Sequence, residues 1–484
     1  MIRIALNRLA KGSLIYGIGS ALQRFIGLLL LPLFTSVLTP EDYGIVALVS
    51  LIGIAMNGLL TLGTGNSMGL LYFKQEDLSK RPTIIWTTVV LMALNGLLWY
   101  SLLWLIAPFL SELMFQTAEY ANLILLTFLG SVLVAMTDPW LAFLRMEELA
   151  KKYVLITVAG ALLTTAISVF LVLYLRWGVV GLLLAGTLGS AIMLGVTWLV
   201  VGRNIGYKLD SNLFLPLVRI GFPSIFGLFA FLLIDYADRQ MIERMLGLVD
   251  LGIYSVGYSF GMVMMVAMTA FSTAWPPFFM SYVNKQDEAR KVFAHVLTYY
   301  VLGFGSLVVL FFLVARPATL LMTAPNFHDA WVVVGLVAAA YALKGCYLIL
   351  LPGIYFASKL KWQSIIEWVA AIMNIGLNIL LIPIYGILGA AIATFISYLS
   401  LPVLAWLVAR SYLKVDYEWA RLGAISLFNL SFSLLAYFLS KTFHEFQLLV
   451  LGLYVVMGIC YLYTAYLFLL KKHERQLLIE FVWR

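Results

Sequence analysis

The residues able to do chemistry in this chain are few, and most lie inside long apolar runs. Three are cations: Arg24, Arg219 and Lys344. Four are carboxylates: Asp138, Asp235, Asp238 and Glu367. Ser20, Asn57 and Asn374 add neutral polar groups on the same runs. An arginine at the centre of a bilayer-spanning helix costs roughly 2.5–3.5 kcal/mol on insertion scales, so such a residue needs a partner or a wet surface. Arginine offers a forked donor and lysine a point charge, and both pair with phosphate. Deep cations such as Arg24 and Lys344, joined by Arg219, suit a pyrophosphate or a similar multiply charged anion. The carboxylates suit a coupling cation, either a proton or sodium. The sequence leaves plainer readings open. Arg24 can sit in a structural ion pair. Asp235 and Arg239 are four residues apart and can pair on a solvated helix end. Asp238 and Arg239 can cap a hairpin. Glu367 lies near a segment end and can reach water. Asp138, which precedes Pro139, can hydrogen-bond within a kink.

Other chemistry is not supported. The sequence shows no P-loop, no Ser/His/Asp or Cys/His constellation and no catalytic residue set. The four histidines lack metal-ligand spacing, and Cys346 and Cys460 both fall in apolar runs, so neither a metal site nor a disulfide is expected. No cofactor is expected beyond a coupling H+ or Na+. Any transport energy then comes from ion gradients, the membrane potential or the substrate gradient.

The elements that must position these residues are membrane helices. Of 484 residues, 63% are hydrophobic and 11% charged, and the mean hydropathy is +1.00. A soluble surface cannot be built from that composition. Apolar segments of spanning length recur at Gly12–Leu38, Tyr43–Leu70, Thr83–Ile106, Ala121–Phe143, Tyr153–Leu175, Val179–Val201 and Phe214–Ile234. They continue at Leu251–Trp275, Val292–Val314, Trp331–Ile354, Ile365–Ile384, Ile387–Val408, Trp419–Leu439 and Leu448–Leu470. Fourteen transmembrane helices of an all-α polytopic membrane protein are therefore expected. Stepping along the first segment in threes and fours gives Ser13, Gly17, Ser20, Arg24, Gly27, Leu31 and Thr35. That stripe, small or polar except for Leu31, turns one face of a helix to a wet interior. In the second segment Asn57, Thr61 and Thr64 form a similar stripe, and Glu367 continues through Ala371, Asn374 and Asn378.

Lys and Arg concentrate in alternate connections, such as Lys74/Lys80/Arg81, Arg145/Lys151/Lys152 and Lys471/Lys472/Arg475. The positive-inside rule then puts both termini in the cytoplasm. The net charge of +8 reflects these loops and not nucleic-acid binding. An internal repeat is also legible. A shift of 208 residues takes Gly44-Ile45 onto Gly252-Ile253 and Trp177-Gly178-Val179-Val180-Gly181 onto Tyr385-Gly386-Ile387-Leu388-Gly389. Two pseudosymmetric six-helix lobes follow, residues 1–208 and 209–416, with residues 417–484 supplying two extra helices and a tail.

Leu38-Thr39-Pro40-Glu41-Asp42-Tyr43-Gly44, together with the Arg24 helix before it, resembles the polysaccharide repeat-unit flippases, including the O-antigen flippases. Ile234-Asp235-Tyr236-Ala237-Asp238-Arg239, Gly252-Ile253-Tyr254-Ser255 and Tyr385-Gly386-Ile387-Leu388-Gly389-Ala390-Ala391 carry the same resemblance. These proteins form a branch of the multidrug/oligosaccharidyl-lipid/polysaccharide exporter superfamily. The resemblance implies a bacterial inner-membrane flippase for undecaprenyl-pyrophosphate-linked oligosaccharide, with Arg24 among the cationic residues that hold the pyrophosphate. It also implies membrane lipids and a polysaccharide polymerase with chain-length machinery as partners. A cation-coupled multidrug exporter of the same superfamily is the alternative. A membrane glycosyltransferase or polymerase fits poorly, since the longest loops are short.

Overall fold

The computed structural model describes residues 26–147, 149–357, 359–443, 448–469 and 474. Its elements are helices: α1 Leu31–Thr35, α2 Pro40–Thr61, α3 Thr64–Lys74, α4 Arg81–Phe115, α5 Ala121–Met146, α6 Ala150–Val169, α7 Gly178–Val200, α8 Phe214–Gly221 and α9 Pro223–Leu246. The second half holds α10 Leu248–Gly261, α11 Met264–Met280, α12 Gln286–Met322, α13 Trp331–Leu350, α14 Pro352–Phe356, α15 Lys361–Tyr385, α16 Ile387–Ala409, α17 Trp419–Thr442 and α18 Leu448–Phe468. Helices are what a chain this apolar must form in lipid, where each backbone N–H and C=O needs a partner within the protein.

Among the described residues, ten helices are long and apolar enough to cross a membrane, or eleven if the bent pair α10–α11 is one span. This is a multi-pass membrane protein. The remaining three of the fourteen apolar segments have distinct fates. Most of Gly12–Leu38 lies outside the described residues. Phe214–Ile234 is helical but breaks between α8 and α9, and α9 carries Asp235, Asp238, Arg239, Glu243 and Arg244 in its second half. Leu448–Leu470 forms α18, which shows only a shorter apolar stretch, Gly452–Leu467.

The chain divides into two compact units, residues 1–255 with 371–387, and residues 256–370 with 388–484. In the first unit Met68, Tyr72, Ile84, Val89, Trp140, Val201 and Leu217 form an apolar core. In the second, Val309, Leu313, Ala436, Tyr454 and Tyr461 do so. Arg421 of α17 donates to Glu474 at 2.6 Å, and the Tyr299 hydroxyl of α12 donates to the same carboxylate at 2.8 Å.

The second apolar segment is not one helix. Leu62 and Gly63 both take left-handed φ, at 50° and 65°, and separate α2 from α3. The break leaves carbonyls at the end of α2, and Asn95 of α4 covers two of them, donating to Leu59 O at 2.8 Å and Leu60 O at 2.9 Å. The break between α8 and α9 faces it: a Cβ on Gly221 would stand 2.4 Å from Leu62 O.

The Thr39-Pro40-Glu41-Asp42 motif is a helix start. Asp42 N donates to Thr39 Oγ1 at 3.2 Å, Thr39 N donates to Asp42 Oδ2 at 2.8 Å, and Pro40 takes the first turn. Gly44 follows because the backbone of another helix touches it: a Cβ there would lie 2.2 Å from Leu248 O. A Cβ on Gly252 would lie 1.7 Å from Pro40 O. The shift of 208 residues exchanges these two contacts, Pro40 with Leu248 and Gly44 with Gly252. Both obstacles are backbone atoms, which cannot rotate aside. Gly252→Val and Gly44→Val should each destabilise the protein by about 1–3 kcal/mol through overpacking. A fall in apparent Tm of the purified protein in detergent checks this, with Gly423→Ala, whose Cβ meets nothing within 4 Å, holding or slightly raising it.

Candidate functional site

The four carboxylates fall into different environments. Asp238 of α9 is completely buried. It accepts from the Tyr254 hydroxyl of α10 and pairs with Arg239 at 3.4 Å. Arg239 is itself buried and its guanidinium carbon lies 4.5 Å from the centroid of the Tyr236 ring. The pair therefore forms between neighbours in sequence, and Tyr254 is its third member. Asp235 lies on the same helix, and its side chain is outside the described residues.

Glu367 lies near the start of α15 but does not reach water; only 3% of it is exposed. Its Oε1 accepts from the Tyr347 hydroxyl of α13 and from Gln363 Nε2, both at 3.0 Å. Tyr355 donates in turn to Gln363 Oε1 at 2.9 Å. The amide of Gln363 is thus oriented by one tyrosine so that its donor faces the carboxylate. Lys344, half-buried on α13 one turn before Tyr347, has its Nζ 5.9 Å from the Tyr398 ring centroid. Tyr398 belongs to a run of buried tyrosines in the second unit, with the Tyr258 and Tyr341 hydroxyls 3.1 Å apart. The structure thus brings Lys344 and Glu367 into one neighbourhood, held by aromatic and amide groups.

Asn374 and Asn378 of α15 are fully buried, and Asn378 Nδ2 donates to Asn374 O at 3.0 Å and to its Oδ1 at 2.9 Å. Among the described residues, Asn374 Nδ2 and Asn378 Oδ1 have no hydrogen-bond partner. A buried amide pair with one donor and one acceptor left over is a costly arrangement unless something fills it. Arg219 sits in the last turn of α8 and is exposed. Arg24 and Ser20 lie outside the described residues.

Asn57 and Asp138 line adjoining cavities in the first unit. One, of about 510 Å³, lies among α2, α5 and α7 and is lined by Ser50, Asn57, Thr127, Ser131, Thr187 and Ser190 among others. The second, of about 310 Å³, lies among α5, α6 and α7 and is lined by Thr137, Asp138, Tyr153, Thr157, Thr164 and Ser190 among others. Val134 and Ser190 border both, so the two form a continuous furrow. Among the described residues, no hydrogen bond or ion pair reaches the Asp138 carboxylate. In the second unit a cavity of about 550 Å³, bordered by Phe304, Phe312, Leu343, Phe395 and Leu434, is apolar by contrast. The sequence reading singled out Asn57 and Asp138 but missed Thr157, Thr164 and Ser190. Their signal is a hydroxyl every helical turn or two on α6 and α7, facing the helix that carries Asp138 and Pro139.

Against known proteins, residues 33–332 match the family described as Polysaccharide biosynthesis protein. The chain belongs to that family. No curated protein matches it at a significant level. Among solved structures, it is similar to an inward-facing multidrug resistance MATE family transporter of the MOP superfamily, at 15% identity and a TM-score of 0.68, covering 86% of this chain and 99% of that one. It is also similar to the lipid II flippase MurJ in an inward closed conformation, at 15% identity and a TM-score of 0.67, covering 94% and 98%. A MATE structure in the straight conformation shares 17% identity with a TM-score of 0.60, over 87% and 96%. This polysaccharide-biosynthesis chain therefore has the fold of the multidrug/oligosaccharidyl-lipid/polysaccharide exporters, and the resemblance read from its sequence is borne out in family and in fold.

The environments of the carboxylates predict opposite outcomes for the same chemical change. Asp238→Asn uncouples a buried charge from its partners and should destabilise by about 3–5 kcal/mol. Asp138→Asn breaks no bond and should leave the apparent Tm unchanged in a buffer free of alkali cations. Thermal unfolding of the two purified variants distinguishes them.

Proposed function

We propose that this chain is a flippase. It carries undecaprenyl-pyrophosphate-linked oligosaccharide repeat units from the cytoplasmic to the outer leaflet of a bacterial inner membrane by alternating access. The reading rests on one coincidence: a chain of the polysaccharide-biosynthesis family has a transporter's fold. The lobes that rock are residues 1–208 and 209–416, residues 417–484 add two helices and a tail, and both termini face the cytoplasm. The sugar head enters from the side while the prenyl tail stays in lipid. Arg24 and Lys344, with Arg219, hold the pyrophosphate, and Ser20, Asn57 and Asn374 hydrogen-bond to the head group. H+ or Na+ exchange at one of Asp138, Asp235, Asp238 and Glu367 resets the cycle. The carrier delivers its cargo to a polysaccharide polymerase and its chain-length machinery.

The position of Lys344 one turn from Tyr347, which donates to Glu367, supports a role that goes beyond packing. A phosphate held by the ammonium brings negative charge into the neighbourhood of the carboxylate, so anion binding and the charge state of Glu367 are linked. A cation-coupled drug exporter has the same fold, but its cargo calls for acidic cavities. The half-buried cation Lys344 does not suit a cationic drug.

Replacing Arg24 or Lys344 with Ala should abolish polymer export in cells while protein levels stay normal, read by immunoblot of the surface polysaccharide and of the chain itself. Full export in both variants would overturn the proposal. Raised drug tolerance on overexpression would favour the exporter.

A further inference from the structure

We propose that the cavity of the second unit binds an uncharged, elongated lipid that carries a hydrogen-bond acceptor, a carbonyl above all, part-way along its apolar body. The cavity lies among α12, α13, α16 and α17 and holds about 550 Å³, within the size range of small-ligand pockets. The walls from α12, α13 and α16 are mostly apolar, with Phe304, Phe312, Leu343 and Phe395 among them. The wall from α17 differs. Ser426, Asn429, Ser433 and Tyr437 all border the cavity, and their spacing of three or four residues sets them in one stripe.

Two members of the stripe have hydrogen bonds left to make. Asn429 and Ser433 are only 7% and 5% exposed. The Tyr461 hydroxyl of α18 donates to Asn429 Oδ1 at 2.8 Å, which orients the amide and leaves its Nδ2 on the other side. There Nδ2 lies against α12, where a Cβ on Gly305 would stand 2.1 Å from it. Gly305 borders the same cavity. Among the described residues, neither Asn429 Nδ2 nor the Ser433 hydroxyl makes a hydrogen bond. The neighbouring Ser431, by contrast, donates to Leu427 O at 2.8 Å. A buried donor without an acceptor is costly. Hydrocarbon chains offer no acceptor, so an occupant that brings one is favoured over them.

Charge and depth narrow the ligand further. Among the described residues no Asp, Glu, Lys, Arg or His borders the cavity, so a charged group has no partner there. Asn429 is ten residues on from Trp419, the first of the 24 residues of α17. At 1.5 Å per residue that is about 15 Å along the helix, halfway through a hydrocarbon core of about 30 Å. The ester carbonyls of a phospholipid lie at the edge of that core and do not reach Asn429. The prenyl tail of the proposed cargo is hydrocarbon and leaves both donors unmet. The ligand is therefore neither bulk phospholipid nor the cargo's tail. The site stands apart from the flippase reading, and it uses none of the residues assigned to the cargo or to the coupling ion. An occupant here packs between α17 and the helices α12, α13 and α16, and so gives a neutral membrane lipid its own hold on the protein.

The cavity carries its own reporter. Cys346 borders it, and Cys460 is the only other cysteine in the chain. The purified full-length Cys460→Ser protein in detergent therefore has a single thiol, at the site. Its alkylation by N-ethylmaleimide is followed by intact mass, with no lipid-linked substrate present. Two probes are titrated: dinonyl ketone, whose carbonyl is central, and nonadecane, the hydrocarbon of the same length. The ketone should protect Cys346 in a saturating manner, at about 10-fold lower concentration than nonadecane, as one or two added hydrogen bonds imply. Asn429→Leu should remove that difference and Ser433→Ala should reduce it. Ser431→Ala, exposed and outside the cavity lining, should keep it. If Asn429→Leu does not purify as a monodisperse species, the Ser433→Ala titration decides. If Cys346 does not react with the maleimide, the saturable rise in Tm on binding replaces protection as the readout for the same comparison. Equal effects of ketone and nonadecane, no effect of either, or an undiminished ketone preference in both stripe variants overturns the proposal. None of these failures touches the export test of Arg24 and Lys344, so the two readings fail separately.

Discussion

A charge held in a low-dielectric interior must find a partner, and that constraint sorts this protein's ionisable residues. The cost of leaving one bare is several kcal/mol, comparable to a large share of a domain's stability. Asp238 meets it with Tyr254 and Arg239. Glu367 meets it with Tyr347 and Gln363. Arg421 meets it with Glu418 and Glu474. Asp138 meets it with a roomy, hydroxyl-lined cavity instead. Three solutions are built in protein atoms and the fourth leaves space for something else.

The same constraint acts on the backbone. Where α2 gives way to α3, the carbonyls released in the apolar interior are taken by the Asn95 side chain. Where the starts of α2 and α10 cross, glycine lets two backbones approach at distances that no side chain tolerates. Broken helices and close backbone contacts are the features that transporters use to place polar groups at membrane depth. In this chain the broken helices α2–α3 and α8–α9 meet at their breaks, through Gly221 and Leu62.

Much of the fold was legible in the sequence because hydropathy directly reports what the bilayer demands. Among the described residues the recurrent apolar segments are helices, and the Thr39-Pro40-Glu41-Asp42 run reads as the capping box it forms. The breaks were less legible. The segment Tyr43–Leu70 contains Gly63 and Gly65 without a proline, so nothing local distinguishes a break from a continuous helix. The candidate site was legible as residue types but not as partnerships. Glu367 looked shallow because depth was judged along its own helix, whereas Tyr347 arrives from α13 and Tyr355 holds Gln363 in place. Arg239 is four residues from Asp235 and adjacent to Asp238, and in the fold it pairs with the adjacent one. Such choices depend on tertiary contacts between segments far apart in the chain, which helical periodicity does not encode.

The central claim is transport of a lipid-linked sugar, and reconstitution tests it most directly. Purified protein is placed in liposomes carrying a fluorescent undecaprenyl-pyrophosphate-linked oligosaccharide, and the fraction of label exposed to a membrane-impermeant quencher is followed in time. The account predicts protein-dependent exchange of label between leaflets that is lost in Lys344→Ala. Label that stays in its original leaflet, with correctly folded and inserted protein, would contradict it.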